Sequence, residues 1–97
     1  MEVTDLEVQV GTVSTLSCTV TGITDPVIIT WSGFIANNNN DFVQETVFKS
    51  ELGEQIGKLI VSAEAVTEDK SYNCTISDET ETLPIQTESV NLDVYRE

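Results

Sequence analysis

The 97-residue chain is poor in positive charge: it has four Lys and Arg residues against 17 Asp and Glu residues, and it has no histidine. The net charge of −13 excludes a nucleic-acid-binding domain, because contacts to phosphates come from clustered Lys and Arg side chains. It also disfavours docking on anionic membranes. No apolar run approaches the roughly 20 residues that cross a bilayer. The first residues lack the basic and apolar segments of a signal peptide.

Alanine is scarce as well, with 3 residues, whereas Thr, Val and Ile number 13, 12 and 8. β-branched side chains fit pleated sheets and lose rotamer freedom in helices, so the composition favours an all-β domain. A hydrophobic fraction of 39% is enough for one packed core at this length. We therefore predict one domain over residues 1–97, and we expect it to be part of a larger multi-domain protein.

Side chains that carry out chemistry are few. Without histidine or a nucleophile motif, the sequence predicts no catalytic residue and no enzyme. Two widely separated cysteines cannot form a CxxC redox or zinc site. The acidic residues cluster at turns and lack the spacing of an EF-hand. We expect neither a metal nor another cofactor.

The two cysteines, Cys18 and Cys74, lie 56 residues apart with Trp31 between them. Alternation along three apolar segments places all three side chains on inward faces. A disulfide between two strands is the favoured interpretation, and it would stabilise the fold by roughly 4 kcal/mol on the chain-entropy model. A pair of reduced, buried thiols in a cytosolic β-domain is the alternative.

The residues around the cysteines resemble an immunoglobulin-like domain. The spacing of Gly11, Leu16, Val20 and Gly22 about Cys18 is similar to that of strand B in this family. The segments 59–62 and 68–74 resemble strands E and F, with Tyr72 two residues before the second cysteine, as in a tyrosine corner. The alternating apolar residues of segment 90–95 are typical of strand G.

The resemblance implies a two-sheet antiparallel Greek-key sandwich of the intermediate, I-set-like type. The sequence separation of 28 from Trp31 to Leu59 favours strands C′ and D without C″. The predicted strands are residues 2–10, 13–21, 27–33, 42–48 (C′ or D), 56–62, 71–77 and 85–95. The predicted core includes Trp31, Tyr72, Leu59, Val61 and Leu92.

Function follows here only from the resemblance, because one fold serves many functions. It implies a non-catalytic extracellular recognition or adhesion module of a cell-surface or secreted immune-type receptor, which binds a protein ligand or co-receptor. The first alternative is an intracellular structural module similar to those of giant muscle proteins, with reduced cysteines. The second is a module that captures a glycan or lipid. We expect the isolated domain to be monomeric and to contact flanking domains of its parent protein.

Two candidate sites remain. Asn73-Cys74-Thr75 is an N-glycosylation sequon, with Asn73 facing outward. The loop between the last two strands has an acidic stretch beside an apolar tip, which predicts a protein partner with a basic surface. Its residues are Asp78, Glu79, Glu81, Leu83, Pro84 and Ile85.

Four smaller expectations concern packing and the surface. We expect Val13 to fill the core beside Ser14, and Lys49 to pair with Glu68 or Asp69. We expect the C–C′ loop, residues 34–41, to lie near the end of the sandwich that carries the B–C and F–G loops. The readable outer faces of the sheets are mostly Thr, Ser and Asn.

Overall fold

A computed structural model of the chain describes residues 2–22, 27–35, 41–49, 51, 53–78 and 86–96. Within these ranges the chain forms eight strands and a 3-10 helix at Ala63–Ala65. The strands are Glu2–Val3 (β1), Leu6–Gln9 (β2), Ser14–Thr21 (β3), Val27–Ser32 (β4), Phe42–Lys49 (β5), Glu54–Val61 (β6), Lys70–Asp78 (β7) and Gln86–Tyr95 (β8).

The strands form two four-stranded sheets, in the orders β1-β3-β6-β5 and β2-β8-β7-β4. In immunoglobulin nomenclature these are the A-B-E-D and A′-G-F-C sheets. Neighbouring strands are antiparallel except β2 and β8, which are parallel from Leu6↔Leu92 to Gln9↔Tyr95. The predicted immunoglobulin-like sandwich is confirmed, with this one parallel pair added.

The first predicted strand is divided because the chain passes from one sheet to the other between β1 and β2. At this crossing the Asp5 carboxylate accepts a hydrogen bond from the backbone N–H of Asn91 at 2.9 Å. The side-chain amide of Asn91 donates to the other Asp5 oxygen at 3.4 Å. These bonds hold the start of the chain against β8.

The core lies between the sheets and consists of the inward residues of every long strand except β5. Alternation predicts this pattern well: β3, β4 and β6 each alternate between buried and more exposed residues. Val66, which follows the 3-10 helix, closes one end of the core and is fully buried. The predicted core residues Trp31, Tyr72, Leu59, Val61 and Leu92 are all buried.

Strand β5 decides between the two assignments, C′ or D, that the sequence left open for segment 42–48. It pairs with β6 over eight residues, from Phe42↔Val61 to Lys49↔Glu54, so it is strand D of the A-B-E-D sheet. Among the described residues, no strand pairs with the outer edge of β4. Of the two alternatives for this segment, D is therefore confirmed and C′ is wrong, because its backbone follows strand E instead of strand C.

Two packing expectations are also wrong. Val13 is 61% exposed, and Ser14 occupies the buried position instead, with its hydroxyl donating to the Thr12 carbonyl at 2.9 Å. The C–C′ connection leaves β4 at Ser32, which pairs with Asn73 near the start of β7. The described ends of this connection therefore lie at the opposite end of the sandwich from Val27 and Asp78, where β4 begins and β7 ends, and residues 36–40 lie outside the described ranges.

Candidate recognition surfaces

The two sheets are linked covalently at the centre of the core. Cys18 on β3 and Cys74 on β7 form a disulfide, with their Cα atoms 6.5 Å apart. Trp31 is the cross-strand partner of Cys74, and all three residues are buried. The Trp31 indole Nε1 has no hydrogen-bond partner among the described residues. The predicted disulfide is confirmed, and the buried ring of Trp31 offers no face for stacking against a sugar.

The free edge of β4 is covered by two glutamine side chains from the other sheet. The backbone N–H of Val27 donates to Gln55 Oε1 at 2.8 Å, and that of Trp31 donates to Gln44 Oε1 at 3.0 Å. Residues four apart in a strand direct their N–H groups to the same side, here the side away from β7. The glutamines thus take the hydrogen bonds that a strand C′ would accept.

The outer face of the A′-G-F-C sheet is polar and its side chains bond mainly to one another. Three successive cross-strand pairs of β7 and β8 are joined by side-chain hydrogen bonds: Ser71–Asn91, Asn73–Ser89 and Thr75–Thr87. Asn73, the sequon residue, is half-buried and accepts the Ser89 hydroxyl at 3.0 Å. Glycan attachment at Asn73 stays a prediction.

A groove of about 450 Å³ opens at the end of the sandwich where β4 ends and β7 begins. The rings of Phe34 and Phe42 stack there with their centroids 4.7 Å apart. Their centroids lie 6.3 and 6.1 Å, respectively, from that of the Tyr72 ring. Burial raises the pKa of the Tyr72 phenol above its ordinary value. The groove is lined by Gly33, Phe34, Ile35, Phe42, Lys70 and Tyr72. Ile35 is 88% exposed at its rim.

The acidic turn before β7 is tied to the last strand. The Asp69 carboxylate accepts the backbone N–H of Val94 at 2.6 Å, and Glu68 pairs with Lys70 at 3.1 Å. Lys49 instead pairs with Glu54 at 3.7 Å. The expected pair of Lys49 with Glu68 or Asp69 is wrong, because β5 places Lys49 at the other end of the sandwich.

The outer face of the A-B-E-D sheet is more apolar than predicted from the sequence. Outward residues that lie opposite each other on β5 and β6 form two aliphatic pairs, Val43–Ile60 and Val47–Ile56. Between them lies the oppositely charged pair Glu45–Lys58, and β3 adds only Thr and Ser. We call these six β5 and β6 residues the aliphatic face. The alternation Ile56-Lys58-Ile60 was its signal in the sequence.

The predicted binding loop is mostly outside the described residues. The backbone of Asp78 ends β7, but its side chain is outside the described part of the structure. So are the other five residues of the loop, Glu79, Glu81, Leu83, Pro84 and Ile85. Within the described ranges, no group of three or more His, Cys, Asp or Glu residues is placed to hold a metal ion. No helix in the same ranges is long and apolar enough to cross a membrane.

Similar folds occur in solved structures of proteins with different roles. The N-terminal Ig1-2 module of the Drosophila receptor protein tyrosine phosphatase DLAR matches with a TM-score of 0.64 and 17% identity. The match covers 100% of this chain and 47% of that one, so the chain spans about half of the two-domain module. The M1 domain of titin matches with a TM-score of 0.58 and 14% identity, over 98% of this chain and 89% of that domain.

A third match is a Bacteroides ovatus GH5 xyloglucanase, with a TM-score of 0.56 and 16% identity. It covers 94% of this chain and 17% of the enzyme. No family model and no curated protein sequence matches the chain. At these identities the matches show the immunoglobulin-like fold and leave the function to be inferred from the surface.

Proposed function

We propose that the chain is a non-catalytic, extracellular recognition module of a cell-surface or secreted receptor, and that it binds a protein partner. The observation that carries this proposal is the buried disulfide between Cys18 and Cys74. Disulfides form and persist in oxidising compartments and are rare in the cytosol. The receptor phosphatase module, which has a similar fold, supports the same assignment.

The compartment is tested by the redox state of the cysteines in the native protein. Cells that make the full protein are treated with N-ethylmaleimide before lysis and during denaturation, without reductant, and the chain is analysed by mass spectrometry. We expect no adduct on Cys18 or Cys74. Two adducts per chain would instead support an intracellular structural module, the role suggested by the titin-like fold.

The partner is expected to carry a basic surface. The net charge of −13 attracts cationic proteins over long range, and salt screens this attraction. In a binding screen against an array of extracellular domains, we expect the hits to be basic and their association rates to fall as the salt concentration rises. Basic hits whose association is independent of salt would contradict charge steering.

A charge-neutral loop variant locates the binding surface. D78N/E79Q/E81Q removes three charges from the predicted loop, and E7Q/E64Q/E88Q removes three charges from exposed positions elsewhere. We expect the loop variant to lose about tenfold in affinity for a partner found in the screen, which corresponds to about 1.4 kcal/mol. The matched control should lose less. Equal losses would mean that overall charge, and not the loop, determines binding.

A further inference from the structure

We propose that the aliphatic face is a self-association surface, through which two copies of this chain pair weakly with the strands of their A-B-E-D sheets aligned. The first reason is the contrast between the two outer faces. On the A′-G-F-C sheet, side chains of β7 and β8 satisfy one another in three hydrogen-bonded pairs. The outward positions of β5 and β6 instead present four β-branched aliphatic side chains.

The second reason is the distribution of charge. Two of the four cations in the chain, Lys49 and Lys58, lie at outward positions of β5 and β6. Two glutamates, Glu45 and Glu54, lie directly opposite them, so this surface carries no net charge on a molecule of net charge −13. Two copies therefore repel each other less when they approach through this surface than through an acidic one.

The third reason is self-complementarity. Rotation of a copy by 180° about an axis parallel to the strands, between β5 and β6, places each outward residue of β5 over its cross-strand neighbour in the other copy. Val43 then meets Ile60, Val47 meets Ile56, and Glu45 meets Lys58, each twice. Rotation about an axis perpendicular to the strands would place Glu45 over Glu45. Both rotations give the nearly aligned strands that face-to-face sheets favour, so the pairing of opposite charges selects the first arrangement.

The contact also gives Lys58 a partner. The ion pairs among the described residues are Lys49–Glu54 and Lys70–Glu68, so Lys58 forms none with a described residue. A face with four partly exposed aliphatic side chains is smaller than the interfaces of stable dimers. The isolated domain is therefore monomeric at micromolar concentration, and pairing becomes measurable at millimolar concentration or when copies are clustered.

Charge reversal at the centre of the face tests the proposal. Sedimentation equilibrium and amide NMR shifts are recorded from micromolar to millimolar concentration for the wild type, E45K, K58E and E45K/K58E. The single variants place like charges over each other, and we expect each to weaken self-association by about tenfold or more. The double variant keeps the wild-type net charge and restores the opposite-charge contacts, so it should associate as the wild type does.

Mixing the two single variants gives a second test. E45K presents two lysines and K58E presents two glutamates, so the two should associate with each other more strongly than either does with itself. Ile60→Thr, at a half-buried position, should weaken wild-type association, whereas Ile28→Thr at an exposed position on the outer face of β4 should not.

Three outcomes would overturn the proposal: no concentration dependence up to millimolar, shifts confined to residues outside β3, β5 and β6, or no effect of the charge reversals. Amide spectra of each variant show whether it is folded. The loop variant D78N/E79Q/E81Q should leave self-association at least as strong as in the wild type. A failure here is therefore distinct from a failure of the proposed binding to a basic partner.

Discussion

At the scale of single residues, Gly57 shows how closely the two sheets approach. It lies inward on β6, opposite Cys18 on β3, and a Cβ atom at this position would come within 2.3 Å of Ile29 Cγ2 and 3.1 Å of Ile29 Cβ. The contact is with the branched part of the isoleucine, which is stiff at χ1 and cannot rotate away easily. Gly57 is therefore required by the packing of β4 on β6.

Gly57→Ala should lower the free energy of unfolding by about 1–3 kcal/mol, because overpacking displaces β4 from β6. Ile29→Ala removes Cγ2, the atom of closest approach, and should itself cost about 2–5 kcal/mol. The loss of unfolding free energy in the double variant should be smaller than the sum of the losses in the two single variants. Urea denaturation of all four proteins, compared in a double-mutant cycle, measures this difference. Additive costs would mean that the added methyl group does not meet Ile29.

Tyr72 predicts how stability responds to alkaline pH. Burial raises its pKa in the folded protein above the value of about 10 expected in the unfolded chain. The folded state therefore holds the phenolic proton more tightly than the unfolded chain does. The stability that this proton contributes is fully present below about pH 10 and is lost as the pH rises from there through the pKa of the folded state.

Tyr72→Phe should remove this part of the alkaline loss, so the drop in thermal stability between about pH 9 and 11 should be smaller than in the wild type. Tyr95→Phe, at an exposed position on β8, is the matched control for the loss of a phenol that the fold does not bury. An identical pH profile for the Tyr72 variant and the wild type would contradict the assignment.

At the scale of elements, the outer edge of β4 depends on side chains from β5 and β6. Gln55 is buried, so water cannot easily replace its side chain as the acceptor for the backbone N–H of Val27. Gln44 is exposed, so water can replace its bond to the N–H of Trp31. A buried donor without an acceptor costs about 1–3 kcal/mol, and an exposed one costs less.

Methionine has nearly the shape of glutamine but cannot accept these bonds well. Gln55→Met should therefore lower the free energy of unfolding by about 1–3 kcal/mol, and Gln44→Met by less than about 1 kcal/mol. Urea denaturation of the two variants measures the difference. A larger loss for Gln44→Met than for Gln55→Met would show that the edge is not held in this way.

At the scale of the whole molecule, the disulfide joins two sheets whose other contacts are mainly apolar. It closes a loop of 56 residues between β3 and β7. The high negative charge opposes compact structure by self-repulsion, so the cross-link contributes to a fold with a small margin of stability.

Replacement of both cysteines by alanine should lower the free energy of unfolding by about 2–5 kcal/mol. Reduction of the wild type with dithiothreitol should shift the urea midpoint in the same direction and leave the midpoint of the alanine variant unchanged. An unchanged midpoint for the reduced wild type would show that the cysteines are not cross-linked in solution.

Much of the fold follows from local pattern. The alternation around Cys18, Trp31 and Cys74 predicts which side of each strand faces the core, because side chains in a strand point to opposite faces in turn. The same rule finds the inward residues of β8, such as Leu92. It does not find Gly57 or the edge role of Gln55, because these depend on which strand of the opposite sheet lies nearest.

The two-sheet sandwich was predicted from the resemblance to immunoglobulin-like domains. The sequence by itself determined the all-β class, the inward direction of the cysteines and the tryptophan, and the acidity from which we expect no binding to nucleic acids. These properties follow from composition and from the two-residue period of a strand. Only the tertiary structure decided that β5 joins β6 as strand D, that Gln44 and Gln55 cover the edge of β4, and that Val43, Val47, Ile56 and Ile60 share one outer face. The physical reason is that pairing and register join residues far apart in the chain, and alternation alone does not specify the partner strand.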